Sequence, residues 1–525
     1  MPPSPFQRRA LFLTVFIGGM STLAFEFTLS RILQTVYGTS NLVWANVIGL
    51  VLFFLTVGYF WGGRIADRHP TPSYFYTLVT LAGFSAIFFL LLTSALLKQA
   101  AVAMAQLNLN ILIGSFIGVT AALAIPITLL GMLSPFAIRL AVSDIGEAGR
   151  ISGQIYALST LGSLVGTWLP VLIVIPLAGS RLTAIVFGSC LFATGFIGLW
   201  YNNRKRIGLV ILLFGLLIPA IWLWGFGPIK TRADAIYESE SAYNYIQVVK
   251  QNGCNYLLLN EGIAFHSFHC ADGTIPAVSV WSSMLAAPFF NSQIDWQPPE
   301  KMLVIGLAGG TIPQQYLRAF PQIKIDGIEP DPQIIEVGKR YFALDNPSIN
   351  PIVGDGRFEL NQTAGNYDVI TIDAYRVPYI PWHLTTVEFF TEVRSKLSAD
   401  GVVAINVGRV PQDRRLIEAI TASLLEVFPT VHTADIPGSL NTILFATIQP
   451  TNVANLQQHL ANLPQNGDVL LPTVLPIVQS GVRPTVSADF VFTDDVAPVE
   501  TIVDSLVIRY FLSSGFNDQL IGTSQ

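Results

Sequence analysis

Charge is what this chain has least of: 12% of its 525 residues are charged, against about 25% in a soluble protein, while 51% are hydrophobic. Cysteine is scarcer still. Cys190, Cys254 and Cys270 are the only three and lack the paired spacing of a zinc site, so no metal centre is expected. No G-x-x-x-x-G-K-[ST] stretch occurs, which argues against an ATP-cleaving phosphate loop. The first apolar run carries Glu26 and no small-residue cleavage site follows it, so it does not read as a signal peptide.

The charge deficit is local. Residues 1–227 hold twelve Lys and Arg and four Asp and Glu, whereas the remainder holds seventeen and thirty. The first part reads as a membrane domain and the second as an acidic soluble one, which argues against a nucleic-acid partner. Runs of spanning length, about 20 residues, fall near 10–30, 41–62, 74–97, 110–133, 153–178, 180–200 and 207–226, giving about seven helices. Glu26 and Arg31 read as a snorkelling pair that fixes a helix end. On alternate sides of these spans lie nine basic residues (Arg8, Arg9, Arg64, Arg68, Arg139, Arg150, Arg204, Lys205, Arg206) and three (Arg31, Lys98, Arg181). The excess places the N-terminus inside.

From residue 236 the pattern turns to period two. "YNYIQVVK", "NYLLLN" and "IAFHSF" read as three strands of a small sheet over 228–297; Cys254 and Cys270 could lie on neighbouring strands, where a disulfide would favour an external domain, but read rather as two reduced, small hydrophobes. After Pro298-Pro299 strands alternate with helices. The strands are "KMLVIGL", "KIDGIEP", "INPIVGD", "YDVITIDAY" and "GVVAINVG", with helices from Pro313 and over 332–341, 385–397 and 412–427. The expectation is a doubly wound Rossmann-like domain over 298–525, binding its ligand at the carboxyl ends of the strands. Gly306, Gly309 and Gly310 end the first strand, where backbone N–H groups can approach a ligand. Glu329 ends the second, where a carboxylate can accept from two ribose hydroxyls. Asp355-Gly356 ends the third, where an acid can accept from an adenine amino group, and Asp373 ends the fourth. Four successive strand ends so equipped point to an adenosine-type ligand.

These residues resemble a family. "ESAYNYIQV", "VIGLAGGT", "IEPDPQIIEVGKRYF", "VGDGRFEL" and "YDVITIDAY" look like spermidine synthases, the polyamine aminopropyltransferases. With "AFEFTLSRIL", "GYFWGGRIADR", "IPWHLTTVEFF" and "FTDDVAPVE", the whole chain resembles their bacterial membrane-fused relatives. The resemblance implies a class I S-adenosylmethionine-type fold. S-adenosylmethionine or its decarboxylated form would be the donor, an amine the acceptor and the lipid bilayer a partner; a homo-oligomer stays open. It implies that Glu329 takes the ribose, Asp355 and Gly356 the adenine, and Asp373 the proton of the attacking amine. A Tyr-Gln pair of the family is here Tyr243-Asn244. Other positions depart. The acid of the glycine loop is Ala308, the acid three residues after Asp373 is Arg376, and a Tyr-x-Glu stretch is Trp281 and Ser283. Asp494, Asp495 and Glu500 are candidate replacement acids; helix capping is an equal alternative for Asp494. His383 reads as structural. "GYFWGGRIADRHP" also resembles a loop of major-facilitator transporters, so the rival function is a transporter-like or nucleoside-binding membrane protein without turnover.

Sidedness sets two arguments against each other. An S-adenosyl donor is made in the cytosol, is cationic and does not leak through a bilayer, yet seven spans from an inside N-terminus put the soluble part outside. Run 207–226 contains Pro219 and a Trp222/Trp224 pair suited to an interface. The expectation is that it lies in the inner interface of the plasma membrane or re-enters, and that the soluble part is cytoplasmic.

Overall fold

The computed structural model describes residues 4–513 except 38–40, 108–110, 227–231, 261–263, 277, 295, 376–378, 412 and 464–468. The chain forms two units. One comprises Met1–Ala233 with Glu238–Tyr245 and Asn260–Gly262; the other comprises Asp234–Tyr237, Ile246–Leu259 and Ile263–Gln525.

The first unit is helical: α1 (Pro5–Tyr37), α2 (Asn41–Arg68), α3 (Pro72–Leu107), α4 (Ile111–Gly131), α5 (Leu133–Ala141), α6 (Ala148–Leu169), α7 (Ile175–Asn202) and α8 (Ile207–Trp224). Among the described residues six apolar helical segments are long enough to cross a membrane, and the fifth, Ile145–Asn202, has 58 residues. At about 1.5 Å per residue that is far more than one crossing of a hydrocarbon core about 30 Å thick. The contacts show that it folds back. Arg8 meets Glu147 at 3.4 Å, and Gly19 abuts Ser159 and Gly166 abuts Met20, so α6 runs parallel to α1. Phe6 lies against Tyr201 and Ser21 donates to the Phe187 carbonyl, so α7 runs antiparallel to α1. The reversal falls at Gly179 (φ 77°, ψ 167°), a conformation that favours glycine.

These helices pack backbone against backbone. A Cβ on Gly162 would lie 2.1 Å from the Phe16 carbonyl oxygen, and one on Gly166 would lie 2.0 Å from that of Met20. Small residues are what permit such approach where lipid gives no hydrophobic drive.

One expectation fails here. The Glu26–Arg31 pair is not among the described contacts; Arg31 instead donates to the carbonyls of Ala242 (2.8 Å) and Ser241. Run 207–226 forms α8, which packs within the helical bundle. Arg206 donates to Thr77 near the start of α3, and Trp224 at the other end of α8 packs on Phe88 and accepts from Arg181. α8 therefore runs the length of the bundle beside α3 and ends at the end opposite Arg8. Pro219 is accommodated within the helix. At that same end Glu240 accepts from the Ser180 amide (2.7 Å) and hydroxyl (2.6 Å).

The small sheet has four strands, not three: β1 (Ala235–Glu240), β2 (Tyr245–Gln251), β3 (Cys254–Leu259) and β4 (Phe265–Cys270). Cys254 and Cys270 stand opposite each other in the β3–β4 register and are joined as a disulfide, not left as two thiols. Ile246, Val248, Leu257 and Leu259 pack on the helix that carries Ile334 and Val337.

The second unit continues with α9 (Val280–Ser283), β5 (Lys301–Ile305), α10 (Thr311–Ala319), β6 (Lys324–Glu329), α11 (Pro332–Tyr341), β7 (Ile349–Val353), α12 (Gly356–Gln362), β8 (Tyr367–Ile372), α13 (Val387–Ser395), β9 (Leu397–Gly408), α14 (Arg415–Leu425), β10 (Thr430–Asp435), β11 (Asn441–Thr447), α15 (Val453–Ala461), α16 (Leu470–Gly481), β12 (Val482–Arg483) and α17 (Val499–Ser513). The sheet order is β12-β10-β11-β9-β8-β5-β6-β7, with β5 to β9 parallel and β10 to β12 antiparallel. Residues 302–305 of β5 are buried on both faces, which is why the strand reads as an unbroken apolar run. Separate apolar cores cover the two faces of the sheet, one holding Leu303, Ile305 and Ile370, the other Met302, Val304 and Val369. Asp331 caps α11, with Pro332 at its first position. The direction of strand order switches between β5 and β8, the position at which such sheets bind ligands.

Gly162→Val forces a branched side chain into the Phe16 backbone. We expect a loss of at least 1–3 kcal/mol, the usual range for overpacking, read as a lower melting temperature in detergent; unchanged melting would contradict the α1–α6 packing.

Candidate active site

The site grows from the switch point. Gly306 leaves β5 with φ 91°, and a Cβ there would lie 2.6 Å from the Asp373 carbonyl oxygen. Glycine is thus required by the approach of the β5 and β8 ends. The Asp373 amide donates to the Ile305 carbonyl at 2.9 Å, which fixes that approach. The loop then turns through Ala308, itself at φ 47°, and Gly310, at φ 92°, which opens α10.

Glu329 is buried at the end of β6 and secures the loop. Its Oε2 accepts from the Ala308 amide at 3.0 Å and its Oε1 from the Asp331 amide at 3.2 Å. A carboxylate has about four lone-pair sites, so one that orders the loop in this way can also accept from ribose hydroxyls. From β4, the Ser267 hydroxyl accepts from the Gly309 amide at 2.8 Å.

Asp373 lies half-buried after β8. Burial pushes its carboxyl up to about 6, although hydrogen bonds from Asn406 and Trp281 pull the other way. Asn406 Nδ2 donates to Oδ1 at 2.9 Å. A carboxylate that ionises near neutrality and is held by two donors is suited to taking a proton from an amine.

Asp355 is engaged through both of its oxygens. Its Oδ1 caps α12 through the Arg357 and Phe358 amides (3.0 and 3.1 Å), and its Oδ2 lies 3.3 Å from His383 Nε2. Gly356 follows it at the same helix start and packs on Ile305. Asp494 is engaged elsewhere: Arg357 grips it through two bonds of 2.7 and 2.8 Å and the Thr386 hydroxyl donates to it. The Arg357 bonds hold its carboxyl below the usual range. It therefore neither offers a free acid to an amine nor caps the following helix. Asp495 is exposed. Tyr243 and Asn244 belong to the helical unit, where Asn244 Oδ1 accepts from Asn260. Arg376 lies outside the described residues.

Sequence reasoning named Trp281 as a departure and missed Asn406 and Ser267. Asn406 was findable: it is the one polar residue in the apolar run "GVVAINV". Ser267 carries no signal, because only the fold brings β4 to the glycine loop.

Residues 285–458 match the spermine/spermidine synthase domain. The chain is 30% identical over 320 residues to a probable polyamine aminopropyl transferase of Bifidobacterium longum, covering 57% of this chain and 69% of that one. It is 27% identical over 311 residues to the polyamine aminopropyltransferase of Vibrio vulnificus, covering 56% and 98%. Over 171 residues it is 31% identical to the mouse eEF1A lysine and N-terminal methyltransferase, covering 30% and 24%. Among solved structures, a probable spermidine synthase from Corynebacterium glutamicum aligns with a TM-score of 0.38 at 18% identity, covering 51% and 98%.

The fold is that of a Rossmann-like transferase domain of the class I S-adenosylmethionine type, preceded by a set of long apolar helices. The chain belongs to the polyamine aminopropyltransferase, or spermidine synthase, family.

Glu329→Ala removes the acceptor of the loop amide and, on the expectation from the sequence, that of a ribose. We expect nucleoside binding to weaken by roughly 1.5–3 kcal/mol for each charge-assisted bond lost, measured by calorimetry with methylthioadenosine; wild-type affinity in this variant would remove Glu329 from the site.

Proposed function

We propose that the C-terminal unit binds an S-adenosyl donor, decarboxylated S-adenosylmethionine in the first instance, and transfers its aminopropyl group to an amine. The observation that carries this reading is Asp373, raised toward neutrality and placed beside the glycine loop at the switch point. Glu329 would hold the ribose, and the loop amides from Gly306 to Gly310 would line the approach to the donor. Asp355 and Gly356 would border the adenine, with the Asp355 Oδ2 side facing His383.

The chemistry balances without a redox partner. The amine nitrogen forms a bond to the propyl carbon next to the sulfonium, the C–S bond breaks with its electron pair going to sulfur, and the amine proton passes to Asp373. The leaving group is a neutral thioether and already good, so positioning supplies much of the rate. Methyl transfer from S-adenosylmethionine would use the same carboxylate and the same nucleoside contacts.

The base works only when ionised. Because the carboxyl of Asp373 is raised, that form is present above about pH 6 and is lost as pH falls through it. The kcat/KM of the full-length protein should therefore rise through about pH 6. Asp373→Asn should remove that limb and lower kcat by roughly 10²–10⁴-fold, the usual worth of a general base. The variant should also be more stable than wild type above pH 6, by roughly 1–3 kcal/mol, since it no longer buries a charge. Intact turnover in Asp373→Asn would unseat the base.

A second reading, a nucleoside-binding membrane protein without turnover, is favoured by two observations. α8 runs the length of the bundle, so the chain leaves at the end opposite Arg8, Glu147 and Arg206. Cys254 and Cys270 are paired, and disulfides persist in oxidising compartments. If the arginine-rich end is cytoplasmic, residues from 235 onward face away from the cytosol, where the donor is made. That reverses the placement expected from the sequence. Single cysteines introduced at Asp67 and Asp272 test it with an impermeant maleimide on intact cells. Labelling at 272 alone supports the non-cytoplasmic placement; labelling at 67 alone restores the cytoplasmic one.

A further inference from the structure

β4 is an edge strand of the small sheet, and the glycine loop stands where its missing neighbour would be. An edge strand leaves backbone groups without partners. At Phe268 one hydroxyl meets both: the amide donates to Thr311 Oγ1 at 2.9 Å, and Thr311 Oγ1 donates to the Phe268 carbonyl at 3.2 Å. One residue earlier, the Ser267 hydroxyl accepts from the Gly309 amide at 2.8 Å and donates to the His266 carbonyl at 2.7 Å. Ser267 and Thr311 are both buried. The fit is close. A Cβ on Gly309 would lie 2.9 Å from Ser267 Cβ and 3.1 Å from the Phe342 ring, so glycine is demanded here by the approach of β4.

The loop is therefore held from two sides. Glu329 takes the Ala308 amide from β6, and Ser267 takes the Gly309 amide from β4. Thr311 opens α10, so its two bonds also fix the start of the helix that follows the loop. β4 reaches toward the base as well: the Phe268 ring packs on that of Trp281 at 5.5 Å, and Trp281 donates to Asp373.

All these contacts depend on the register of β4 against β3. A slip of one residue would turn Ser267 to the other face of the sheet. On one side of Ser267 the ladder gives little support, because the register shifts between Leu257 and Leu258, the partners of Ser267 and Phe265. On the other side it runs unbroken through Phe268 and His269 to Cys270, which is bonded to Cys254 directly across from it. We propose that Ser267 and Thr311 are positioning residues for the S-adenosyl donor, and that the Cys254–Cys270 disulfide, by pinning the β3–β4 register, holds the donor site in its high-affinity form. This rests on the transferase reading above and names the positioning and the redox regulation of that same site. A dithiol reductant opens the device. It supplies two electrons and two protons, the S–S bond breaks to two thiols, and the dithiol leaves as its own disulfide. With the register released, Ser267 and Thr311 no longer hold the loop.

The test uses the full-length protein in detergent, with methylthioadenosine as the probe. Calorimetry is run on mildly oxidised protein and on the same protein after dithiothreitol, with thiols counted by alkylation and mass spectrometry. Reduction should weaken binding tenfold or more. Cys254→Ser combined with Cys270→Ser should bind as weakly without reductant and no longer respond to it. Ser267→Ala should bind at least tenfold more weakly than oxidised wild type and lose most of the response to dithiothreitol, a loss of additivity that general loosening of the fold would not produce. Thr311→Ser keeps the hydroxyl and should recover affinity that Thr311→Val loses. Where the double serine variant fails to fold, the reduced wild type carries the test. Equal affinity of oxidised and reduced protein overturns the proposal while nucleoside binding still supports the transferase reading. So do thiols at Cys254 and Cys270 that stay free after oxidation, or a loss on reduction as large in Ser267→Ala as in wild type. No methylthioadenosine binding in any state sinks the transferase reading and the proposal with it.

Discussion

Asp373 is a carboxylate taken part of the way out of water, and most of the C-terminal unit can be read as the means of holding it there. Its amide is tied to the end of β5, and its carbonyl lies where a side chain on Gly306 would have to go. Its oxygens are met by Asn406 and Trp281, donors from β9 and α9. Desolvation raises the carboxyl, the two donors restrain the rise, and the balance leaves it near 6. A fully exposed aspartate would be a weak base at neutral pH, and one with no donors would stay protonated. The parallel sheet makes this balance possible, because its buried central strands β5 and β8 end side by side at the switch point.

Carboxylates elsewhere show how differently the same group can be used. Glu329 is spent on backbone amides that shape the glycine loop. Asp355 splits its oxygens between a helix cap and His383. Asp494 closes an ion pair with Arg357, which also grips Glu392 at 2.6 Å, and so joins α12 to α13 and to the segment before α17. Asp435 collects arginines. Sequence position alone made several of these look alike; what separates them is which cation or amide the fold delivers.

Much was legible beforehand. Apolar runs located the long apolar helices, and the ends of the apolar strand runs placed Gly306, Glu329, Asp355 and Asp373 at the carboxyl edge of the parallel sheet, where the structure has them. Helix 332–341 is matched by α11, Pro332–Tyr341. What stayed hidden depends on long-range approach. The fold-back at Gly179 does not interrupt hydropathy, and the path of α8 is set by its packing on α3 rather than by its prolines and tryptophans. The Cys254–Cys270 pairing needs the β3–β4 register. The antiparallel strands β10 to β12 supply Asp435, Asn441 and Arg483 and lie outside the strand–helix alternation that marks the parallel part of the sheet. Helix 412–427 begins later, at Arg415, where Asp413 engages the first turn.

The account turns on whether this carboxylate and this loop perform chemistry on a bound sulfonium. The most direct measurement is the fate of the donor: the protein, in membranes that retain their own small molecules and lipids, is given decarboxylated S-adenosylmethionine and the nucleoside is recovered and identified by mass spectrometry. The account predicts that methylthioadenosine accumulates over many turnovers and that washed, acceptor-depleted membranes stop producing it. Donor recovered intact from protein shown to be saturated with it would contradict the account.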